Sequence, residues 1–425
     1  MPAIDVAPAA PGASVELTVP GDKSISHRAV LLNAIATGEA QLRNLGPGAD
    51  VRSSMACMRQ LGVEIDERDG VVRVYGEGLD GLRESRPPLD CGNSGTTTRL
   101  ISGILAGQPF TSVLVGDASL SRRPMARIAK PLRLMGAEVE GDMLPLTIRG
   151  GLLRGIEYQP EVASAQVKSC VLLAGLFGGT PTTVVEPVAT RDHTERLLRA
   201  MGTRVDLDGW RITVWPPDKL EAVDIDVPGD FSSAAFWLVA GLILPDAVVT
   251  VRNVGMNESR TGLLDVLAEM GGEIEIRDLR QVGGEPVADL VARHASLRGV
   301  TIGGEVIPRL IDEVPVLAVA AALADGTTTI RDAAELRVKE SDRISAVARG
   351  LSAMGVQAEE LPDGLIIRGG ASLSGATLET LGDHRLAMAW AIAGLASRDG
   401  VRIDDRDCAS ISYPSFWSDL ERFQA

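Results

Sequence analysis

Six times along this chain, the sequence predicts an almost wholly apolar helix that opens with small or charged polar residues. The helix starts lie near residues 21, 92, 164, 229, 311 and 382, about 70 residues apart. Units of this length cannot bury their apolar faces alone, so they must pack against one another. A helix start carries unpaired backbone N–H groups and the positive end of the helix dipole, which bind phosphate and carboxylate. The repeat therefore predicts a scaffold that presents several helix starts to an anionic ligand.

A second motif, L/M-x-x-M/L-G followed by a strand-like segment, recurs between the apolar helices. Its glycines are expected to end amphipathic helices at positive φ; they are Gly62, Gly136, Gly202, Gly271 and Gly355. Each unit then reads as strand, buried helix, strand, amphipathic helix and strand pair. The sequence thus predicts an α/β fold of six βαβαββ units, three in each of two domains.

The expected crossover points between the domains are the two VPGD strings at 19–22 and 227–230. The predicted domains are 20–227, and 1–19 together with 228–425. The strand Ser14–Val19 is expected to complete the sixth unit, which the end of the chain truncates. The Pro- and Ala-rich segment before this strand is expected to be a frayed arm. A closed ring of six units is the alternative arrangement.

Composition limits the partners of the chain. A net charge of −15 disfavours nucleic acid and anionic membranes as main partners, although local charge in a cleft can still favour a small anion. No run of 18 apolar residues predicts a membrane span, and the N-terminus lacks the features of a secretory signal. Four scattered cysteines without CxxC spacing indicate a reduced, intracellular protein; they are Cys57, Cys91, Cys170 and Cys408.

The first two helix starts combine small and basic residues that suit an anionic ligand. The string GDKSISHR places Lys23 and Ser24 at a helix start, with Arg28 one turn further, and it lacks the GxxxxGK[ST] spacing of a Walker A loop. In CGNSGTTTR, small residues let backbone amides approach an oxyanion closely. The candidate contacts of this string are Asn93, Ser94, Gly95, Thr96 and Arg99.

Further donors follow in the same half of the chain. Arg122 and Arg123 precede Pro124, which is suited to the first turn of a helix. Guanidinium groups hold carboxylate and phosphate through paired hydrogen bonds. The strings SAQVKS and TRDHTER add Ser164, Gln166, Lys168, Arg191 and His193.

Carboxylates appear among the cations in the second half. IDEVP places Asp312 at a helix opening, where it can accept a proton or a hydroxyl hydrogen bond, or serve only as an N-cap. The strings RVKESDR and GDHR contribute Lys339, Glu340, Arg343, Asp383, His384 and Arg385.

Each string alone is compatible with a solvated helix cap or a surface ion pair. Their shared location carries more information, because polar residues recur at or near the starts of five of the six apolar helices. These residues are Lys23, Arg99, Gln166, Asp312 and Arg385. The pattern therefore predicts one anion-binding site with acid–base groups.

In order and spacing, these strings resemble the family of 5-enolpyruvylshikimate-3-phosphate synthases over residues 15 to about 420. The resemblance implies an inside-out fold, with three βαβαββ units per domain around buried parallel helices and an active site in the cleft between the domains. It implies transfer of the enolpyruvyl group of phosphoenolpyruvate to the 5-hydroxyl of shikimate 3-phosphate, through a tetrahedral ketal, in aromatic amino acid biosynthesis. No metal or organic cofactor is expected, and the protein is expected to be a cytoplasmic monomer.

The resemblance also implies roles for individual residues. Contacts to phosphoenolpyruvate would come from Lys23, Gly95, Arg123, Gln166, Arg343 and Arg385. Contacts to shikimate 3-phosphate would come from Lys23, Ser24, Arg28, Thr96, Ser164, Gln166, Arg191, Asp312 and Lys339. Asp312 would act as the hydroxyl base, and Glu340 and Lys23 would carry protons for the methylene carbon, with the assignment of each step left open. Asn93, Arg99 and His384 would orient these groups.

Two positions depart from the family pattern. Ile411 stands where many members have Lys, and Glu335 stands where many have Asn, so neither receives a role here. Both departures are similar to a subgroup that tolerates the herbicide glyphosate, whereas Gly95 keeps the small residue that lets glyphosate fit.

Two other functions remain as alternatives. UDP-N-acetylglucosamine enolpyruvyl transferase shares the fold but has Cys where this chain has Ala118, and Lys-Asn where it has Lys23-Ser24. A non-catalytic repeat scaffold would give no reason for Asp312 and Glu340 among the cations. Release of phosphate with shikimate 3-phosphate or with the UDP-sugar would distinguish these three functions.

Overall fold

The computed structural model describes residues 2–370 and 372–424. The chain divides into two compact units, here called the continuous unit (Gly21–Val227) and the split unit (Met1–Pro20 with Pro228–Ala425). The split unit begins with two short strands, β1 (Ile4–Val6) and β2 (Ser14–Thr18).

The continuous unit alternates helices and strands in a regular order. Its elements are α1 (Lys23–Ala34), β3 (Thr37–Arg43), α2 (Ala49–Gln60), β4 (Glu64–Arg68), β5 (Val71–Glu77), β6 (Leu89–Asp90), α3 (Gly95–Ala106), β7 (Thr111–Val115), α4 (Ala126–Met135), β8 (Glu138–Glu140), β9 (Leu146–Arg149), β10 (Glu157–Tyr158), α5 (Ala165–Gly175), β11 (Thr182–Val185), α6 (His193–Ala200), β12 (Val205–Asp208), β13 (Arg211–Val214) and β14 (Ile225–Asp226). A short 3-10 helix spans Leu120–Arg122.

The split unit repeats this order after the crossover. Its further elements are α7 (Phe231–Ile243), β15 (Val248–Gly255), α8 (Gly262–Glu269), β16 (Ile274–Val282), β17 (Glu285–Arg293), β18 (Thr301–Ile302), α9 (Ile307–Leu310), α10 (Val314–Leu323), β19 (Thr327–Ile330), α11 (Arg343–Ala353), β20 (Gln357–Leu361), β21 (Gly364–Arg368), β22 (Ala376–Leu378), α12 (His384–Leu395), β23 (Val401–Ile403) and α13 (Phe416–Glu421). Three 3-10 helices span Gly304–Val306, Ala334–Val338 and Asp407–Ile411.

The apolar helices form the interior of each unit. Helices α1, α3 and α5 are almost entirely buried in the continuous unit, and α7, α10 and α12 are almost entirely buried in the split unit. Small residues allow close packing: a Cβ atom on Gly103 of α3 would overlap the backbone carbonyl of Cys170 on α5. The polar first turns are less completely covered, since Lys23 and Ser24 of α1 and Gln166 of α5 are half-buried.

Each complete sheet has the same strand order. Around four of the six buried helices, the strand before the helix is parallel to the strand after it, as Leu89 of β6 pairs with Leu114 of β7. Two antiparallel strands follow, with β7 beside β9 and β9 beside β8. The predicted unit of strand, buried helix, strand, amphipathic helix and strand pair therefore describes the second, third and fifth repeats. The first and fourth repeats take their leading strand from elsewhere in the chain, and the sixth is truncated.

The N-terminal strands pair differently from the prediction. Strand β2 runs parallel to β15, with Val15 opposite Val249, so it completes the fourth unit and not the sixth. The reason is that β14, the strand just before the crossover, is already parallel to β3 in the first unit. The segment before β2 is not a frayed arm, because β1 pairs with β23 and extends the truncated sixth sheet.

The helix ends agree with the sequence pattern. The glycines of the L/M-x-x-M/L-G motif have positive φ angles, of 96° at Gly62, 114° at Gly136, 90° at Gly202, 94° at Gly271 and 87° at Gly355. Side-chain oxygens accept backbone N–H groups at five of the six buried helix starts: those of Asp22, Ser94, Ser164, Asp230 and Asp383. Helix α10 is the exception, since its N-cap residue is Glu313 and makes no such bond.

Two further features concern the described residues as a set. None of their helices is long and apolar enough to cross a membrane. The four cysteines are free and buried.

Candidate functional site

The first buried helix of the continuous unit places Lys23 beside a carboxylate. Its Nζ atom lies 3.2 Å from Oδ2 of Asp50, which belongs to the first turn of α2. The Lys23 side chain keeps 18% of its exposure, so it can reach a ligand while Asp50 limits its direction. The sequence analysis missed Asp50, because an acid in the first turn of a surface helix is ordinary.

Arg28 lies one turn further along α1 and is held by hydrogen bonds to α5 and α6. Its Nε donates to Oγ1 of Thr194 at 2.6 Å, and its Nη2 donates to Oγ of Ser169 at 2.8 Å. Its Nη1 donates to the backbone oxygen of Ser24 at 2.9 Å. Arg28 as a residue is 3% exposed, so these bonds fix the orientation of a buried side chain.

The start of α3 brings two guanidinium groups to one glycine. A Cβ atom on Gly95 would lie 2.9 Å from Nη1 of Arg99 and 3.3 Å from Nη1 of Arg123. Nη2 of Arg123 also donates to Oδ1 of Asn93 at 2.7 Å, and Nδ2 of Asn93 donates to Oδ2 of Asp117 at 2.6 Å. Gly95, Arg99, Arg123 and Asn93 therefore form one cluster.

The start of α5 joins this cluster through Gln166. Its Nε2 donates to Oγ1 of Thr96 at 2.8 Å, and its Oε1 accepts a hydrogen bond from Nη1 of Arg99. Ser164 is the N-cap of α5. Two helix starts that are 70 residues apart along the chain thus share one hydrogen-bonded group of side chains.

Other predicted donors of the continuous unit lie elsewhere. Lys168 is buried, with Nζ 2.7 Å from Oε1 of Glu195 and 3.0 Å from Oε2 of Glu186, so it is an internal ion-pair residue. Arg191 lies half-buried just before α6.

Two details around Pro124 and α6 complete this unit. Pro124 does not open a helix, since α4 begins at Ala126, and the preceding Arg122 is exposed whereas Arg123 is buried. His193 is the buried first residue of α6.

The split unit gathers its predicted residues around Asp312. Oδ1 of this carboxylate lies 3.3 Å from Nη1 of Arg343 and 3.6 Å from Nζ of Lys339. Oδ2 lies 3.9 Å from Nη2 of Arg385, and the backbone oxygen of Asp312 accepts from Nη1 of Arg385 at 3.2 Å. One carboxylate thus faces three cations, and it precedes the cap of α10 instead of forming that cap.

Arg343 links this group to two further carboxylates. Its Nη2 lies 2.6 Å from Oε2 of Glu340, and its Nε lies 2.8 Å from Oδ2 of Asp383. Burial alone would lower the pKa of Arg343, but the carboxylates of Asp383 and Glu340 outweigh burial and raise it. Burial alone would raise the pKa of Asp383, but Arg343 outweighs burial and holds that pKa below its ordinary value.

His384 is the first residue of α12 and is buried beside the same carboxylate. Its Nδ1 lies 4.0 Å from Oδ1 of Asp383, which also accepts the backbone N–H of Arg385 at 3.0 Å. The predicted residues Asp312, Lys339, Glu340, Arg343, His384 and Arg385 are therefore neighbours within the split unit.

The two positions that depart from the family pattern have modest environments. Ile411 packs against the apolar core of the split unit. Glu335 is half-buried in the 3-10 helix Ala334–Val338.

Each unit therefore presents cations at buried helix starts, and the split unit adds carboxylates that can exchange protons. Such groups suit a ligand with several negative charges and a reaction that moves protons. Among the described residues, no group of three or more His, Cys, Asp or Glu side chains is arranged to hold a metal ion.

Comparison with known proteins agrees with this chemistry. The sequence pattern of the family described as EPSP synthase (3-phosphoshikimate 1-carboxyvinyltransferase) matches residues 12–420. The chain is 54% identical over 406 residues to the 3-phosphoshikimate 1-carboxyvinyltransferase of Desulforudis audaxviator, covering 94% of this chain and 95% of that protein. It is 55% identical over 417 residues to the protein of the same name from Chloroflexus aggregans, covering 96% of each.

Solved structures show the same similarity. The EPSP synthase from Acinetobacter baumannii matches with a TM-score of 0.88 at 42% identity, covering 99% of this chain and 98% of that one. The enolpyruvyl transferase NikO from Streptomyces tendae shares the fold at a TM-score of 0.80 and 17% identity, covering 99% of this chain and 97% of that one. The predicted inside-out α/β fold is confirmed.

Proposed function

The chain belongs to the EPSP synthase family, and we propose that it transfers the enolpyruvyl group of phosphoenolpyruvate to the 5-hydroxyl of shikimate 3-phosphate. The observation that carries this proposal is the position of Asp312, whose carboxylate oxygens lie 3.3 to 3.9 Å from Arg343, Lys339 and Arg385. A proton acceptor among cations suits a hydroxyl that attacks an anionic partner.

We propose that residues of both units bind the same pair of substrates. Phosphoenolpyruvate carries a phosphate and a carboxylate, which match guanidinium and ammonium groups at helix starts. Its proposed contacts are Lys23, Gly95, Arg123, Gln166, Arg343 and Arg385. The continuous unit would supply most contacts to shikimate 3-phosphate, with Ser24, Arg28, Thr96, Ser164 and Arg191, and the split unit would add Asp312 and Lys339. Lys23 and Gln166 would contact both substrates.

The chemistry requires two proton movements, and the site offers groups for both. Asp312 would take the proton of the 5-hydroxyl while the hydroxyl oxygen bonds to the central carbon of phosphoenolpyruvate. Glu340 or Lys23 would protonate the methylene carbon. In the resulting tetrahedral ketal, the methyl group would give a proton back to the side chain that supplied it. The carbon–carbon double bond would form again as the bond to phosphate breaks. Asn93, Arg99 and His384 would hold the contacting groups in position. These steps need no metal or organic cofactor, because side chains supply the acid and the base.

We also propose that the protein acts as a cytoplasmic monomer in aromatic amino acid biosynthesis, with these two small molecules as its partners. The net charge of −15 is consistent with a protein that does not bind nucleic acid or anionic membranes.

The test is phosphate release by the purified protein with phosphoenolpyruvate and either shikimate 3-phosphate or UDP-N-acetylglucosamine. We expect release with shikimate 3-phosphate only, and formation of the enolpyruvyl product in equal amount. Release with the UDP-sugar alone would favour the sister enzyme, and release with neither acceptor would favour a scaffold.

A further inference from the structure

We propose that Glu313 is a positioning residue, which fixes the guanidinium of Arg385 in the orientation that receives phosphoenolpyruvate. The inference rests on the proposed function, because it assigns the substrate that Arg385 contacts. Glu313 follows Asp312 directly, yet its side chain belongs to a different set of contacts.

The carboxylate of Glu313 is buried between two helix starts. The residue is 1% exposed, and its Oε1 accepts a hydrogen bond from Oγ of Ser232 in the first turn of α7. The same Oε1 lies 3.8 Å from Nη1 of Arg385 at the start of α12. Because Nη1 also donates to the backbone oxygen of Asp312 at 3.2 Å, one end of the guanidinium is held by two consecutive residues.

A second arginine, Arg260, contacts the serine that donates to Glu313. Nη2 of Arg260 donates to Oγ of Ser232 at 2.7 Å and to Oδ1 of Asp230 at 3.1 Å. Arg260 is 3% exposed and Ser232 is 2% exposed. The contacts therefore run from Arg260 through Ser232 and Glu313 to Arg385, and they join the starts of α7, α10 and α12 within the split unit.

This arrangement divides the work between two adjacent acids. Asp312 faces Lys339, Arg343 and Arg385 and is the proposed base, whereas the buried Glu313 holds Nη1 of Arg385. An arginine loses considerable side-chain freedom when it is fixed, and a site that fixes it before the substrate arrives binds the substrate more tightly. Removing the charge of Glu313 should therefore weaken binding of the substrate that Arg385 contacts.

The test compares two variants of these contacts, at Glu313 and Ser232, with a matched control. Glu313→Gln keeps the size of the side chain and removes its charge, and Ser232→Ala removes the hydroxyl that orients it. The control is Asp289→Asn, which also alters a buried carboxylate of the split unit that lies 2.7 Å from an arginine, Arg252. For each protein, KM for each substrate, kcat and Tm are measured.

We expect Glu313→Gln to raise KM for phosphoenolpyruvate about tenfold, which corresponds to losing about 1.4 kcal/mol of binding. KM for shikimate 3-phosphate and kcat should each change by less than about threefold. Ser232→Ala should shift the same constant in the same direction by a smaller factor. Asp289→Asn should leave both KM values unchanged, whatever its effect on Tm.

The outcomes separate the two proposals. A wild-type protein that does not consume phosphoenolpyruvate overturns the proposed function and this inference with it. An active wild type whose folded Glu313→Gln variant has unchanged KM values, or an equal rise in both, overturns only the role of Glu313. Should that variant fail to fold, an unchanged KM for phosphoenolpyruvate in Ser232→Ala overturns the inference.

Discussion

Asp383 and Arg343 form a fully buried ion pair between the starts of α12 and α11, with Nε of Arg343 2.8 Å from Oδ2 of Asp383. The two side chains are 0% and 1% exposed, and Asp383 also caps α12 through the backbone N–H of Arg385. One carboxylate thus fixes both the end of a helix and the guanidinium of a proposed substrate contact. The pair is expected to matter for stability as well as for binding.

We predict that Asp383→Asn lowers the free energy of unfolding by about 3 to 5 kcal/mol, since it leaves Arg343 buried with less compensation. The folded pKa of Asp383 lies below its ordinary value of 3.8. The contribution of Asp383 to the free energy of unfolding is therefore fully present above pH 3.8 and is lost as the pH falls through the folded pKa. Urea unfolding between pH 7 and pH 2.5 should show this acid loss in the wild type and a weaker loss in the variant.

The matched control for this prediction is Asp5→Asn. Asp5 pairs with Arg402 at 3.0 Å across β1 and β23, but its side chain is 74% exposed. An exposed pair contributes at most about 1 kcal/mol. Equal losses in the two variants would contradict the importance of the buried pair.

A second prediction concerns His27 on α1. Burial, followed by the charges of Lys23 and Arg28, lowers the pKa of His27 well below 6.5. Below pH 6.5 the unfolded chain takes up a proton at His27 while the folded chain does not. The free energy of unfolding therefore has its full value above pH 6.5 and decreases as the pH falls. The decline is about 1.4 kcal/mol per pH unit until the folded pKa is reached.

Replacing this residue should flatten that dependence. We expect His27→Gln to reduce the slope of unfolding free energy between pH 6.5 and pH 5, measured by urea unfolding. The exposed His294 offers the control, and His294→Gln should keep the slope of the wild type. Identical slopes in all three proteins would show that His27 does not stay neutral on folding.

The third prediction uses two glycines of α3. The atoms nearest to a Cβ atom at Gly95 would be the ends of two arginine side chains, at 2.9 Å and 3.3 Å, which can move aside. We expect Gly95→Ala to change the free energy of unfolding by less than about 1 kcal/mol, as Ala suits a helix. Displacement of Arg99 and Arg123 should raise KM for phosphoenolpyruvate by about tenfold or more.

Gly103→Ala should behave in the opposite way. Its new Cβ would overlap the backbone oxygen of Cys170, which cannot move without shifting α5. We expect a loss of about 1 to 3 kcal/mol in the free energy of unfolding. Steady-state kinetics and thermal melting of both variants test this account. It is refuted if Gly103→Ala is as stable as the wild type and Gly95→Ala keeps the wild-type KM for phosphoenolpyruvate.

The fourth prediction tests the proposed acid–base groups. Lys23→Met, Asp312→Ala and Glu340→Ala should each reduce kcat by at least about 100-fold, the scale of general acid–base catalysis. Each variant should keep a cooperative thermal transition. Turnover at the wild-type rate in all three would remove these residues from the mechanism.

Local rules explain what the sequence made predictable. The glycines of the L/M-x-x-M/L-G motif, such as Gly62 with φ of 96°, indicate helix ends from the local sequence alone. Helices commonly end at a residue with positive φ, which glycine adopts most readily. The α/β class with buried helices followed from helices too apolar to have a solvated face, whereas the inside-out arrangement was implied by the family resemblance. The set of polar residues around Asp312 was predicted for a similar reason, since each member occupies a helix start or a motif of its own.

Pairings between distant segments could not be predicted in this way. The carboxylate that accompanies Lys23 is 27 residues away at Asp50, and the hydroxyl that contacts Glu313 is 81 residues away at Ser232. Nothing in the local sequence distinguishes these residues from ordinary helix caps. The partner of β2 was mistaken because strand pairing depends on which edges the whole unit leaves open.

The pairing of β2 with β15 also has a consequence for the order in which the chain folds. Glu16 and Arg252 join the two strands at 3.1 Å and are 236 residues apart. The continuous unit can close its first sheet with its own β14 as it leaves the ribosome, whereas β1 and β2 must wait for strands made later. We therefore expect stalled nascent chains that expose residues 21–227 to resist protease while their first eighteen residues are still cut.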